Sequence, residues 1–271
     1  MASLARQVSP AIPGPQIAFL RFATGVPVTL VALLVARVEI RPRRWGWLAA
    51  RGVFGGLAVL LYFTSIEKIG VGVATLINYT APVWSLVFSW ILLHERPKSR
   101  VAWALLATMT GVALVATGRE QAIRMGGWEL VAIASAAVSG LAVTSVRATR
   151  RPSGDGPPSE GNWTVFASFT MVGSLVTLPA IMPPLGGWVA PSGLQWLLLA
   201  MCGLFSVAAQ LLMTSALREI TATGIGVVQQ VTVVLALLSG LLFFRETLTL
   251  RAALGCVITV GGVVSMVLSD R

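Results

Sequence analysis

Long apolar runs separated by short charged turns dominate the sequence. Nine of these runs approach about 20 residues, the length that an α-helix needs to cross the roughly 30 Å hydrocarbon core of a bilayer. The predicted membrane-spanning helices are 16–36, 46–66, 70–93, 101–117, 128–147, 162–182, 193–216, 221–244 and 251–269. This alternation predicts an all-α integral membrane protein.

The second half of the chain repeats the pattern of the first. Residues 48–118 and 199–269 align without a gap at a constant offset of 151, and 16 of 71 positions are identical. Apolar residues match by chance, so the informative identities are polar or glycine. They are Gly52 with Gly203, Glu95 with Glu246, Arg100 with Arg251, Thr108 with Thr259, and Gly111 with Gly262. The repeat predicts a duplicated bundle, and such bundles bind solutes where their halves meet.

The two repeats differ by one predicted helix. The second has five helices from 128–147 onward and the first has four, so the offset places the missing counterpart before Met1. We therefore expect a ten-helix ancestral bundle whose first helix is absent. An odd number of helices per repeat inverts the second copy in the membrane, which predicts an inverted 5+5 repeat. The expected domains are 1–118 and 128–271, with a linker at 119–127.

Composition supports a membrane location and narrows the partners. The chain is 56% hydrophobic and 11% charged, with a mean hydropathy of +0.83, which leaves too little polar surface for a soluble globule. The net charge of +10 lies in short basic clusters between apolar runs, a pattern that argues against nucleic acid as a partner. Cys202 and Cys256 lie inside apolar segments, and the sequence carries no metal or cofactor motif. The expected partners are a lipid bilayer and a small-molecule substrate.

The positions of the basic residues predict an orientation. If the chain starts outside, thirteen basic residues fall on the inner side, among them Arg51 near the start of its helix, and six fall on the outer side. Basic residues favour the cytoplasmic side. We therefore expect a multi-pass protein of the cell membrane with a cytoplasmic C-terminus.

Polar residues inside the predicted spans are the candidates for a site. In 70–93, a polar stripe lies on one helical face, at Asn78, Pro82, Ser85 and Ser89. Asn78 and Tyr79 correspond by the repeat to Gln229 and Gln230, so both halves place amides near the same depth. Such amides need a partner or an aqueous cavity, so they either join helices or face the substrate.

Pro82 is expected to interrupt its helix and to free the carbonyl near Asn78. Because its counterpart is Val233, the kink is expected in one half alone. A kink that serves packing is the alternative interpretation.

Weaker candidates lie in three other helices. Arg21 lies inside its helix and can reach the interface or bind an anionic substrate group. Ser206, Gln210 and Thr214 form one stripe, and Thr170, Ser174 and Thr177 form another, although Ser and Thr often bond their own helix. The expected substrate-binding set is Asn78, Tyr79, Pro82, Gln210, Gln229, Gln230 and Arg21.

The acidic residues favour a structural role. Glu95 and Glu246 lie at helix ends, and we expect each to pair with Arg100 or Arg251 or to sit near the next helix N-terminus. His94 is expected to be solvated. The middle of every predicted span lacks Asp, Glu and Lys, and the motifs of a metal-dependent intramembrane transferase are missing.

These residues resemble the drug/metabolite transporter superfamily, in its EamA-type branch of tandem five-helix repeats. The resemblance is carried by the paired segments LLHERPKSRVAWALLATMTGVALVATG and LFFRETLTLRAALGCVITVGGVVSMVLSD, together with Pro82 and Arg21. It implies a ten-helix inverted-repeat bundle with a central cavity, and export of amino acids, related metabolites or toxic small molecules. The chain departs from this pattern in lacking the first helix and in having Val233 where the second half often has proline.

The sequence thus favours a secondary transporter of small organic solutes that exports by alternating access, and not an enzyme. A non-transporting or partner-dependent membrane scaffold is the main alternative, and an intramembrane transferase is a weaker one.

Overall fold

The computed structural model describes residues 12–96, 98–117, 126–151, 158–182, 187–235 and 250–269. Throughout these residues the regular elements are helical. They are α1 (Gly14–Ala23), α2 (Gly25–Leu34), α3 (Trp45–Asn78), α4 (Ala81–Leu93), α5 (Ser99–Thr117), α6 (Gly127–Arg150), α7 (Asn162–Thr177), α8 (Gly193–Ala216), α9 (Ala222–Gln229) and α10 (Leu250–Ser269). The prediction of an all-α protein is confirmed.

Five helical stretches are long and apolar enough to cross a membrane, judged by length and composition. These stretches are Gly14–Leu34, Trp45–Asn78, Gly127–Arg150, Asn162–Ile181 and Gly193–Ala216. Shorter apolar stretches lie at Ala81–Leu93, Ser99–Leu114, Ala222–Leu235 and Ala253–Ser265. The third of these includes α9, a turn at 230 and a further helical segment at 231–235. Large apolar side chains such as Trp103, Leu204 and Phe205 are exposed on these helices, as lipid-facing residues are. The prediction of a multi-pass membrane protein is confirmed.

Several helices divide at points that differ from the predicted boundaries. The predicted helix 16–36 is split at Thr24 into α1 and α2. The predicted break between 46–66 and 70–93 coincides with a kink at Gly70 within α3, whereas the predicted helix 70–93 is divided again after Asn78. Gly70 has φ +80 and ψ 156, a conformation that glycine adopts at little cost. The chain therefore bends at Gly70 and breaks again after Asn78.

The core of the bundle is built around α3. Helix α6 packs along α3 and against α4, while α7 packs on the other side of α3, next to α1. The contact between α3 and α6 includes a hydrogen bond of 2.9 Å from Ser135 Oγ to the Ala58 carbonyl. Helix α1 bridges the halves, since it contacts α3, α7 and α8.

The last helix of each repeat, α5 and α10, cross at a reciprocal pair of close approaches. A Cβ atom on Gly111 would overlap the Thr259 hydroxyl, and one on Gly262 would lie 2.7 Å from Thr108 Cγ2. Thr108 and Thr259, like Gly111 and Gly262, are counterparts by the 151-residue offset. Because Thr108 meets Gly262 while Gly111 meets Thr259, α5 and α10 run antiparallel. A two-fold axis perpendicular to both helices relates the repeats, as the inverted-repeat prediction requires.

Other contacts follow the same symmetry. Gly52 on α3 packs against Val172 on α7, and its counterpart Gly203 on α8 packs against Thr24 at the end of α1. Both glycines have no room for a side chain, so the identities found in the sequence mark helix crossings. The repeated residues are thus packing residues of the scaffold.

Candidate functional site

Two arginines from the first repeat reach across to one face of α8. Arg21 Nε on α1 donates to Ser206 Oγ at 2.7 Å, and Arg51 Nη2 on α3 donates to Gln210 Oε1 at 2.5 Å. Ser206 and Gln210 are four residues apart, so their side chains lie one helical turn from each other. The two guanidiniums therefore bond adjacent turns of the same helix. We call Arg21, Arg51, Ser206 and Gln210 the arginine pair site.

The arginine pair site lies inside the bundle, away from the ends of the helical stretches Gly14–Leu34 and Trp45–Asn78. Arg21 lies in the last turn of α1, directly before α2, roughly 10 Å from the start of its stretch, and Arg51 lies roughly 9 Å from the start of α3, at a rise of 1.5 Å per residue. Arg51 is 3% exposed, and its Nε is buried without a hydrogen-bond partner. The sequence had assigned Arg51 to the basic residues of the inner side, and the structure corrects this, because α3 directs the side chain towards α7 and α8.

An aromatic wall lies against Arg51. Its guanidinium carbon is 3.9 Å from the centre of the Phe169 ring, a cation–π distance, and Phe22 packs edge-on against Phe169 with ring centres 4.8 Å apart. Gly55 makes room for this stack, since a Cβ there would lie 2.6 Å from Phe169 and 3.1 Å from Arg51 Nη1. The stacking occupies a face of the guanidinium and uses none of its N–H donors.

Cys202 lies one helical turn before Ser206, the residue on α8 that Arg21 binds. On α3, the Tyr62 hydroxyl shares a 2.7 Å hydrogen bond with Thr75 Oγ1. Cys202 is the repeat counterpart of Arg51 and is 3% exposed. The same scaffold position therefore carries a charge in one repeat and a neutral thiol in the other.

The arginine pair site contains no acidic partner among the described residues. Ion pairs between described residues join Arg41 to Glu39, Lys68 to Glu67, Arg147 to Glu95, and Arg218 to Glu219. Arg21 and Arg51 bond neutral side chains instead. Their charges are thus not neutralised by the described part of the chain.

A second polar cluster lies on the two-fold axis, where both repeats interrupt a helix. Gln230 Nε2 donates to the Tyr79 carbonyl at 3.1 Å, and these residues are counterparts by the offset of 151. Counterparts that touch each other lie on the axis that relates the repeats. The backbone geometry also matches, since Tyr79 N bonds Leu76 O at 3.2 Å and Gln230 N bonds Val227 O at 3.1 Å. We call this group the axial cluster.

The difference between Pro82 and Val233 explains this contact. Val233 N donates to the Gln230 carbonyl at 3.0 Å, whereas Pro82 has no N–H for the Tyr79 carbonyl. The Gln230 side chain supplies the missing donor. Two sequence predictions are corrected here. Pro82 lies in the first turn of α4 and not in mid-helix, and α9 also ends at Gln229, so the interruption occurs in both halves.

The predicted site residues are thus divided between two clusters. Arg21 and Gln210 belong to the arginine pair site, and Tyr79, Pro82 and Gln230 belong to the axial cluster. Next to it, the Asn78 side-chain oxygen is buried without a hydrogen-bond partner, as is that of Gln230. Gln229 is exposed, and its amide lies 3.5 Å from the Met213 sulfur.

The remaining predicted stripes bond mainly to their own helices. Thr170 donates to Phe166 O, Thr177 donates to Gly173 O, and Thr214 donates to Gln210 O. This is the usual behaviour of hydroxyls in membrane helices. Arg51 is the residue that the sequence interpretation missed, although its mismatch with Cys202 across the repeat was a readable signal.

Arginines close one end of the bundle, which we call the arginine-rich end. Arg147 Nε binds Glu95 Oε1 at 2.9 Å, and its Nη1 donates to the carbonyls of Leu217 and Arg218 at 3.0 and 3.1 Å. Similar bonds are made by Arg44 to Ala148 O, Arg150 to Thr214 O, and Arg151 to Leu93 O. Glu95 therefore has the structural role that was expected, but its ion-pair partner is Arg147 and not Arg100, one of the partners predicted for it. Glu246 lies outside the described residues.

Hydrogen bonds also join the chain segments at the opposite end of the bundle. Gln16 Nε2 donates to Val189 O at 2.7 Å and Gln16 Oε1 accepts from Val189 N at 3.0 Å. Gly14 N donates to Glu67 Oε2 at 2.9 Å. With polar contacts at both ends, the arginine pair site lies between two closures.

Gln230→Ala is expected to lower the stability of the bundle by about 1 to 3 kcal/mol, because it leaves the Tyr79 carbonyl without a donor. Adding Pro82→Ala should recover most of this loss, since an alanine there would provide the N–H that Val233 provides in the other repeat. Gln229→Ala, which removes an exposed amide, is the matched control. Thermal unfolding of the purified variants measures the effect, and equal losses for the single and double variants would contradict the assignment.

Two inverted helical repeats, with interrupted helices on their axis and a polar site between them, define a membrane carrier architecture. The EamA-like transporter family matches residues 1–117 and again residues 126–268. The chain belongs to the EamA-like transporter family, and it is a transporter. The predicted resemblance is confirmed.

Individual relatives agree with this assignment. The chain is 26% identical over 249 residues to the pseudopaline exporter CntI of Pseudomonas aeruginosa, covering 91% of this chain and 83% of the relative. It is 27% identical over 237 residues to human solute carrier family 35 member G1, covering 83% of this chain and 60% of the relative. One solved crystal structure is similar to this chain, with a TM-score of 0.78 and 21% sequence identity. The match covers 99% of this chain and 92% of the chain in that structure. That match shows a shared fold.

Proposed function

We propose that this transporter is a secondary carrier that exports small organic solutes across the cell membrane by alternating access. The observation that carries the proposal is the arginine pair site, where Arg21 and Arg51 of the first repeat bond α8 of the second. A solute held there touches both repeats, so its binding is coupled to their relative movement.

The two closed ends support the same mechanism. Alternating access requires a closure on each side of the site that can be released in turn. The ion pair and carbonyl bonds at the arginine-rich end, and the Gln16 contact at the other, consist of a few polar interactions. We place the arginine-rich end and the C-terminus in the cytoplasm, because basic residues favour that side.

The solute class is supported by the relatives and by the site. One relative is named an exporter, and the site combines hydrogen-bonding groups with an aromatic wall. Asn78 and Gln230, at the axial cluster, have unsatisfied side-chain oxygens, and we propose that they also meet the solute or its water.

Efflux from proteoliposomes tests the proposal. The full chain is reconstituted with a panel of labelled amino acids, organic acids and amines, and at least one class should leave faster than from empty liposomes. Gln210→Ala should slow that efflux by about tenfold, the effect of losing a contact worth roughly 1.4 kcal/mol. Thr110→Ala, an exposed hydroxyl bonded to its own helix, is the control. A folded protein that moves nothing in the panel would favour the scaffold alternative.

A further inference from the structure

We infer that the arginine pair site binds an oxyanion, a carboxylate or phosphate group of the solute, between the guanidiniums of Arg21 and Arg51. This inference rests on the proposed carrier function and names the chemical class of its substrate.

The charge balance at the arginine pair site favours an anionic ligand. Both guanidiniums lie inside an apolar bundle, Arg51 is 3% exposed, and each bonds a neutral partner. Buried cations are costly unless an anion compensates them, and two adjacent cations add mutual repulsion. The described residues supply no carboxylate at this site. An anionic group from the solute supplies the missing charge.

The N–H donors of the Arg51 guanidinium suit an oxyanion. A guanidinium has five N–H donors in a planar fork that matches carboxylate and phosphate oxygens. Arg51 uses one Nη for Gln210, and its Nε is buried without a partner. Because Phe169 stacks on the guanidinium, the ring fixes the plane of the fork without using its donors. Arg51 therefore keeps a donor, Nε, that no described residue uses, and the Phe169 ring holds the plane of its guanidinium.

The comparison with the other repeat argues against a purely structural role for the Arg51 charge. By the 151-residue repeat, Cys202 on α8 occupies the position of Arg51 on α3, and it is equally buried. The scaffold thus tolerates a neutral residue at this position. A charge that the fold does not require, and that costs stability, is expected to be retained for the ligand.

Ligand-induced stabilisation of the purified full chain tests the inference. The protein is placed in nanodiscs of neutral lipid, and its melting temperature is measured with succinate, inorganic phosphate, dimethyl succinate and putrescine. We expect succinate, phosphate or both to raise the melting temperature, while the neutral ester and the diamine do not. A response to succinate alone assigns a carboxylate, and a response to phosphate alone assigns a phosphate. The inference is overturned if neither anion has an effect.

Arg51 variants separate binding from folding. Arg51→Gln should weaken the anion response by at least about tenfold, and Arg51→Lys, which keeps the charge but loses the fork, should weaken it less. Arg51→Gln should also raise the melting temperature of the empty protein, because it removes an uncompensated charge. A residue that only holds helices together would give the opposite change. The control is Arg41→Gln, since Arg41 forms an exposed ion pair with Glu39.

The outcomes also distinguish this inference from the proposed function. If proteoliposomes transport neutral or cationic solutes and Arg51→Gln does not change the rate, the carrier stands and the oxyanion site fails. If anions stabilise the protein through Arg51 but no solute crosses the membrane, the site stands and the carrier fails.

Discussion

Gly111→Ala is expected to destabilise the folded bundle by about 2 kcal/mol or more, whereas Gly261→Ala should leave its stability unchanged or slightly raised. The new Cβ at 111 would overlap the Thr259 hydroxyl and lie 2.6 Å from the Gly255 carbonyl oxygen. The carbonyl belongs to the backbone of α10, so the helices must separate. A Cβ at Gly261 meets nothing within 4 Å, and alanine is favoured over glycine in a helix by roughly 0.5 to 1 kcal/mol.

The reciprocal contact gives this prediction an internal check. Gly262→Ala should also destabilise, because its Cβ would lie 2.7 Å from Thr108 Cγ2. Thr108→Ser removes that methyl group and keeps the hydroxyl, so it should partly rescue Gly262→Ala and should not rescue Gly111→Ala. Thermal unfolding in detergent measures all of these variants. If Gly111→Ala and Gly261→Ala melted alike, the crossing of α5 and α10 would be wrong.

Arg147→Gln is expected to slow efflux by at least about tenfold, because it weakens the contacts that close the arginine-rich end. Arg147 joins three elements, through Glu95 at 2.9 Å and the Leu217 and Arg218 carbonyls at 3.0 and 3.1 Å. The Arg147 and Glu95 side chains are 14% and 21% exposed, so losing one partner costs about 2 to 3 kcal/mol. That energy is taken from the state closed at this end, so the carrier accumulates open to that side.

The neighbouring ion pair provides the control. Arg218 and Glu219 are 61% and 80% exposed at a distance of 3.8 Å, and pairs of this kind contribute little. Arg218→Gln should therefore keep efflux within about twofold of the wild type. The double variant Glu95→Gln with Arg147→Gln should be less impaired than Arg147→Gln, because no carboxylate is left unpaired. Equal efflux from Arg147→Gln and the wild type would show that this contact is not a closure.

The hydrophobic pattern predicted the helical architecture well because membrane thickness sets the length of each span. The repeat at offset 151 predicted the inverted symmetry for a related reason. Its polar and glycine identities mark close helix crossings, such as Gly111 with Thr259, where few residue types fit. Arg21 and Gln210 were found as intramembrane polar residues.

Three features were interpreted wrongly from the sequence because they depend on which helix faces which. Arg51 resembled a basic residue at a helix end, and its burial against Phe169 depends on α7. Glu95 binds Arg147, which is 52 residues away, rather than the nearer Arg100. The absence of proline at Val233 suggested an unbroken helix, yet α9 ends at Gln229, where the two repeats meet on their axis. Tertiary packing decides each of these cases.

Alternating access requires the arginine pair site to open to each face of the membrane in turn. Ser206→Cys, in a background with Cys202→Ser and Cys256→Ala, places a single thiol where Arg21 donates its hydrogen bond. Sealed vesicles of each orientation are treated with membrane-impermeant methanethiosulfonates, one anionic and one cationic. We expect labelling from both faces, with the anionic reagent faster by about tenfold because the guanidiniums attract it. Labelling from one face alone would show that the site does not open to both faces. Equal rates for the two reagents would show that the guanidiniums do not attract an anion.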